Sequence, residues 1–162
     1  MTLKLTSGFK IEAPFTFFNL ILMMTSDRYL KIVRASAWYD LLVTWPFATP
    51  WTFVWLYGNL TTLAQTLGLP GTVHPLDATH ILFANLLGSV VLVWSLARLL
   101  NPSLRLGRLD GMARVLFALW QVNAFLAGAN AIVLGFTAFE LIFAVLQFWP
   151  KVGRKLETTS PN

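Results

Sequence analysis

The sequence predicts an all-α fold: an integral membrane antiparallel four-helix bundle with both termini cytoplasmic. Three observations predict it. Hydrophobic residues make up 56% of the chain and charged residues only 12%, where a soluble domain carries about 25% charged residues. The apolar residues gather in runs long enough to cross a bilayer, which needs about 20 residues. The basic residues stand at the ends of those runs.

The net charge of +5 therefore reads as membrane-surface anchoring and not as a nucleic-acid face. Cysteine is absent, which excludes disulfides, thiolate catalysis and thiolate metal sites. The length suits one bundle. It divides into an N-terminal segment 1–34, a four-span bundle 35–150 and a polar cytoplasmic tail 151–162.

In the N-terminal segment, Ala13 to Met24 is apolar but too short to span. Two readings stand: an interfacial helix flanked by Lys10 and by Arg28, Lys31 and Arg34, or a natural start at Met23 or Met24. No small-x-small cleavage site follows the run, so a cleaved signal peptide fits less well.

The first span is expected from Ala35 to Tyr57, kinked or broken by Pro46 and Pro50. Trp45, Trp51, Trp55 and Tyr57 load its outer half. From Gly58 to Leu76 runs a loop without Lys or Arg, in which Leu60, Leu63 and Leu67 suggest a short surface helix ended by Gly68, Pro70 and Gly71. Asp77 stands where an N-cap belongs.

Ala78 to Leu100 is the second span. Ala84 and Gly88 form a small-xxx-small face with Ser95 near it, suited to close helix approach or an oligomer contact. Asn101-Pro102 ends it. A basic loop to Asp110 follows, then a third span from Gly111 to Gly128. Gly128 to Asn130 leaves room only for a tight turn into the fourth span, 131–149, and Lys151, Arg154 and Lys155 follow. Basic residues cluster before the first span, between the second and third, and after the fourth. The other two loops have none, which places the termini and the middle loop in the cytoplasm.

Glu140 lies nine residues from either end of the fourth run, about 13 Å at helical rise. An ionisable group at that depth is costly and marks a functional site by default. Asn130, Thr137, Glu140, Ala144 and Gln147 share an arc of about 100°. Glu140 is expected to carry a proton, meet a ligand, pair with a cation, or sit as a protonated acid bonded to a neighbour. Gln121 falls at the same depth on the adjacent helix, as a ligand contact or as glue between helices. Asp40 is expected to pair with Arg34, Arg98 or Arg114, or to form the lip of an aromatic pocket shared with Thr44, Phe47 and Trp51. His80 has Asp77 as its nearest partner, with no second ligand at i+3 or i+4, so its metal signal is weak. Asn85 is a partner for Asn130 or Asn123. No P-loop, GxSxG, HExxH or dinucleotide fingerprint is present. Two His, one in a loop, do not supply an axial haem pair.

The LAQTLGLPG phrase at Leu63 to Gly71, followed by LLGSVVLVW at Leu86 to Trp94, resembles the DoxX-like group of small four-span bacterial membrane proteins. Pro46, Pro50 and the Trp cluster depart from that group's first span, and Asn85 stands nearest to its second-span acid. The resemblance implies a four-span fold with cytoplasmic ends in the bacterial inner membrane and an association with redox or membrane stress. A looser likeness is to the EXPERA group of sterol-binding and isomerase proteins, without its paired acid and His.

The leading expectation is a non-enzymatic inner-membrane protein, either an accessory subunit of a larger complex or a binder of an apolar ligand such as a quinone or lipid. A proton-coupled transporter working through Glu140 as a homo-oligomer is the alternative. A membrane-embedded isomerase comes third, because it needs a second titrating group beside Glu140.

Overall fold

The computed structural model describes residues 23–148 and 151–153. Of the predicted run Ala13 to Met24, residues 13–22 lie outside them, as do residues 154–162 of the predicted tail. The described chain is all-α, apart from a three-residue parallel pairing of β1 (Met23–Thr25) with β2 (Lys151–Gly153). Five helices follow β1: α1 (Ser26–Thr44), α2 (Pro50–Thr66), α3 (Ala78–Leu100), α4 (Leu104–Leu126) and α5 (Val133–Phe148). A 3₁₀ turn over Trp45–Ala48 separates α1 from α2.

That turn is the break expected in the first span at Pro46 and Pro50. Pro46 has no N–H to donate, and Thr49 restarts the helix as the N-cap of α2 with Pro50 in its first turn. The carbonyls freed by the break are taken up locally. Thr52 Oγ1 donates to the Pro46 carbonyl at 2.6 Å, and Asn85 Nδ2 on α3 donates to the Phe47 carbonyl at 2.7 Å. The short surface helix expected around Leu60 is the continuation of α2 itself. α1 also begins earlier than the predicted span, at Ser26, because Tyr29 and Val33 are fully buried against the bundle. α4 likewise starts at Leu104, where Ser103 caps it by accepting from Leu106 N–H.

α4 and α5 form the predicted antiparallel hairpin, α1 packs on α3, and the 3₁₀ turn packs on α3. Gly88 makes the last contact possible: a Cβ there would lie 2.5 Å from the Phe47 carbonyl carbon. The close approach expected of the small-residue face is thus made at Gly88 within the chain, by the 3₁₀ turn.

The α2–α3 loop is tied to the α4–α5 turn. Thr72 N–H donates to the Gly128 carbonyl at 2.9 Å, Asn130 N–H to the Thr72 carbonyl at 3.1 Å, and Ala131 N–H to the Pro70 carbonyl at 2.8 Å. Gly71, at φ +98°, passes so close to Ala129 and Asn130 that no side chain fits. Asp77 caps α3 as predicted, accepting from His80 N–H at 2.9 Å. That bond, with the adjacent His80 ring, holds the Asp77 carboxyl below the usual carboxylate range.

Gly88→Ala is expected to destabilise the bundle by about 1–3 kcal/mol through overpacking against the Phe47 backbone. Gly58, in α2, has nothing within 4 Å of a built Cβ, so Gly58→Ala should be neutral or stabilise by roughly 0.5–1 kcal/mol. Thermal melting of the two purified variants checks the contrast.

Candidate functional site

Three carboxylates and two guanidiniums meet between α1, α3, α4 and α5. Each arrives for a local reason. Asp40 is in the last two turns of α1, on the buried stripe with Tyr29, Val33, Ser36 and Ala37. Arg98 closes α3, where a cation also suits the helix C-terminus. Asp110 and Arg114 are four residues apart on α4 and so share one face. Glu140 lies on the buried stripe of α5 with Thr137, Ala144 and Gln147.

The two arginines are the hubs. Arg98 reaches Asp40 Oδ2 and Asp110 Oδ2, both at 2.5 Å. Arg114 reaches Asp40 Oδ2 at 2.7 Å through Nη2, Asp110 Oδ2 at 3.0 Å through Nε, and Glu140 Oε2 at 2.8 Å through Nη1. Arg98 is 0% and Arg114 1% exposed, so each guanidinium must find its partners inside the protein. Neutral groups add to the shell, although Arg98 Nε and Gln147 Oε1 are buried without a hydrogen-bond partner among the described residues. Gln147 Nε2 donates to Asp110 Oδ2 at 2.7 Å and to Ser36 Oγ at 2.9 Å, and Trp94 Nε1 donates to Asp110 Oδ1 at 3.0 Å. The Phe143 ring lies 4.8 Å from the Arg114 guanidinium carbon, within cation–π range.

An apolar cavity of about 490 Å³ opens above this cluster. Asp40 and Glu140 form its floor, and Tyr39, Phe47, Phe117, Trp120 and Phe136 stand among its walls. A second cavity of about 570 Å³ adjoins it toward the α2–α3 loop and shares Phe47, Gln121, Ala124, Val133 and Phe136 with it.

The residues read from the sequence fall into three groups. Asp40 pairs with Arg98 and Arg114, two of the three predicted partners. Glu140 pairs with Arg114. Gln121 lines the same cavity as Glu140 but bonds elsewhere, its Oε1 accepting from Thr137 Oγ1 at 2.8 Å. Asn85 and Asn130 do not pair. Asn85 serves the Phe47 carbonyl, and Asn130 Nδ2 donates to the Leu69 carbonyl at 3.2 Å to hold the loop. His80 is exposed beside Asp77, with Nδ1 3.1 Å from Oδ1. Among the described residues no group of three or more His, Cys, Asp or Glu is placed to hold a metal. Trp51 is 79% exposed and lines neither cavity. Its expected alignment with Asp40 assumed one continuous helix, and the break at Pro46 resets the phase.

Asp110, at the end of the expected middle loop, lies inside α4 and belongs to the site. Its i, i+4 spacing to Arg114 was the available signal. For Arg98 and Arg114 the sequence offers two roles, basic flanks of the middle loop and partners for Asp40. Ser36 and Trp94 gave no signal before the helices were assembled.

The comparisons find no family model, no curated protein and no solved structure that matches the chain.

Arg114→Gln leaves three buried carboxylates facing one guanidinium and is expected to cost about 3–5 kcal/mol, the range for breaking a buried ion pair by removing one partner. Glu140→Gln leaves two carboxylates facing two guanidiniums and should change stability by no more than about 1 kcal/mol. Melting temperatures of the two variants under one set of conditions read the difference.

Proposed function

We propose that this is a multi-pass protein of the bacterial inner membrane that binds an apolar ligand in the cavity above Asp40 and Glu140. The observation that carries the membrane reading is an inverted distribution of polarity. The largest fully buried side chains are headed by Arg98 and Arg114, with Gln147, Ser36 and Ser95 also fully buried. Leu86, Val90, Val93, Leu119, Trp120, Ile142 and Val145 are exposed. Water would penalise that surface heavily, and lipid would not. Among the described residues, α3 is the one helix long and apolar enough to cross a membrane by its own composition, and 17% of its most apolar window is buried.

In this reading α1 with the broken segment forms the first span, and α3, α4 and α5 the other three. α4 falls short on composition because Arg105, Arg108, Asp110 and Arg114 crowd its first half; Asp110 and Arg114 turn inward to the cluster. α5 is apolar but has 16 residues. The basic ends face the cytoplasm by the positive-inside rule. The cavity is the size of a small-molecule site, apolar in its walls with few polar groups at one end. The DoxX-like resemblance belongs with this reading, and its redox or membrane-stress association is carried as analogy.

A second reading, proton-coupled transport through Glu140 in an oligomer, draws on the adjoining cavities, which together lead from the α2–α3 loop to the carboxylate floor. Asn123, exposed on α4, is a polar group available for the contact between copies.

The chain has no native Cys, so single substitutions report topology directly. Gln65→Cys is expected to react with an impermeant maleimide in intact spheroplasts, and Asn101→Cys only after lysis. Equal labelling of both would defeat the four-span arrangement. Ala124 lines both cavities. Ala124→Trp should remove any apolar molecule that native mass spectrometry finds on the wild-type protein, and identical spectra would defeat the binding reading.

A further inference from the structure

We infer that the cavity floor receives the positively charged head of a monocationic amphiphile, with Glu140 and Asp40 as its anionic contacts. The inference rests on the binding reading above and narrows it to a ligand class.

The charges do not balance. Asp40, Asp110 and Glu140 supply three negative charges when ionised, and Arg98 and Arg114 supply two positive ones. With all three ionised one negative charge is left over, and in a setting where uncompensated charge is expensive it calls for a proton or a cationic partner.

The surplus lies toward the cavity. Both guanidiniums are sealed behind the floor, with side chains 0% and 2% exposed. Asp110, almost equally sealed, accepts hydrogen bonds on both oxygens. Asp40 and Glu140 are the two that line the cavity, and each engages the arginines through a single oxygen, Oδ2 and Oε2. Among the described residues Asp40 Oδ1 and Glu140 Oε1 accept no hydrogen bond. Their side chains are 12% and 11% exposed, against 0% and 2% for the arginines, so the carboxylates are the part of the cluster a molecule in the cavity can reach.

A cationic nitrogen placed there meets two acceptors with free lone pairs and supplies the missing charge. The walls agree in sign, because the faces of Tyr39, Phe117, Trp120 and Phe136 present negative π-density to a cation and apolar surface to its tail. An anionic head meets repulsion from both carboxylates. A quinone carbonyl can only accept, so it finds no donor at the ionised floor; Gln121 Nε2 and the Tyr39 hydroxyl on the walls remain for it.

The test uses three probes of nearly one shape: 4-phenylbutylamine, 4-phenylbutanol and 4-phenylbutanoate. The amine is protonated at neutral pH, as a lysine side chain is. Binding is measured by calorimetry on the full chain in phosphatidylcholine nanodiscs, with empty nanodiscs subtracted. The amine is expected to bind about tenfold or more tightly than the alcohol, the worth of one charge-assisted contact, and the butanoate more weakly than either. Glu140→Gln should weaken the amine about tenfold, while Gln65→Ala, exposed and outside both cavities, leaves it at the wild-type value. The wild-type ranking decides the matter alone where Glu140→Gln does not fold. Alcohol or butanoate binding as tightly as the amine overturns the cationic inference and leaves an apolar site standing. Absence of binding by all three overturns the site itself.

Discussion

The meeting of Arg98 and Arg114 with Asp40, Asp110 and Glu140 is the constraint on which the arrangement of helices depends. A guanidinium has donors in a fixed planar fork, so Arg114 can satisfy Nε, Nη1 and Nη2 only if α1, α4 and α5 present their carboxylates together. Arg98 adds α3 to the same point. Four helices are thereby held by groups that cannot be left alone in a low-dielectric interior. In a bilayer this matters more than in water, because apolar contact between helices gains little over apolar contact with lipid.

The second constraint is the chain break between α1 and α2. A continuous helix would leave no freed carbonyls and would carry Phe47 past α3 along a straight course. Pro46 and Pro50 interrupt it, and Asn85, Thr52 and Gly88 accommodate the interruption. Phe47 is thereby wedged against α3, where it helps to line both cavities. At the other end Asn130 ties the α2–α3 loop to the α4–α5 turn, so the second cavity is bounded by backbone pinned at several points.

Together these constraints separate the interior into two chemistries. The end near Arg98 and Gln147 is polar and filled; the part toward the α2–α3 loop is apolar and open. Glu140 and Asp40 stand at the boundary, bonded to arginine on one side and lining a cavity on the other. Their position gives them the capacity to meet a ligand, which a carboxylate locked into the cluster on both oxygens, such as Asp110, lacks.

Much of this was legible in the chain. The apolar runs, the Asp77 cap, the tight turn before Ala131, the proline break and the buried stripe of α5 all follow from residues within a few turns of one another. Local geometry governs these, so periodicity and capping chemistry report them. Glu140 was conspicuous for the same reason, as one carboxylate amid apolar neighbours. The pairing was another matter. Asp40 lies 58 residues from Arg98 and 74 from Arg114, and Glu140 lies 26 from Arg114. No helical wheel relates them, and several partners at the same depth satisfied the sequence equally. Trp51 and Asn85 went elsewhere than expected because each depended on the helix phase after Pro46 or on which neighbour came to lie opposite. Helix-scale character is written in consecutive residues, whereas the closure of a charge cluster depends on which helix faces are brought together, and the packing of the assembled bundle sets that.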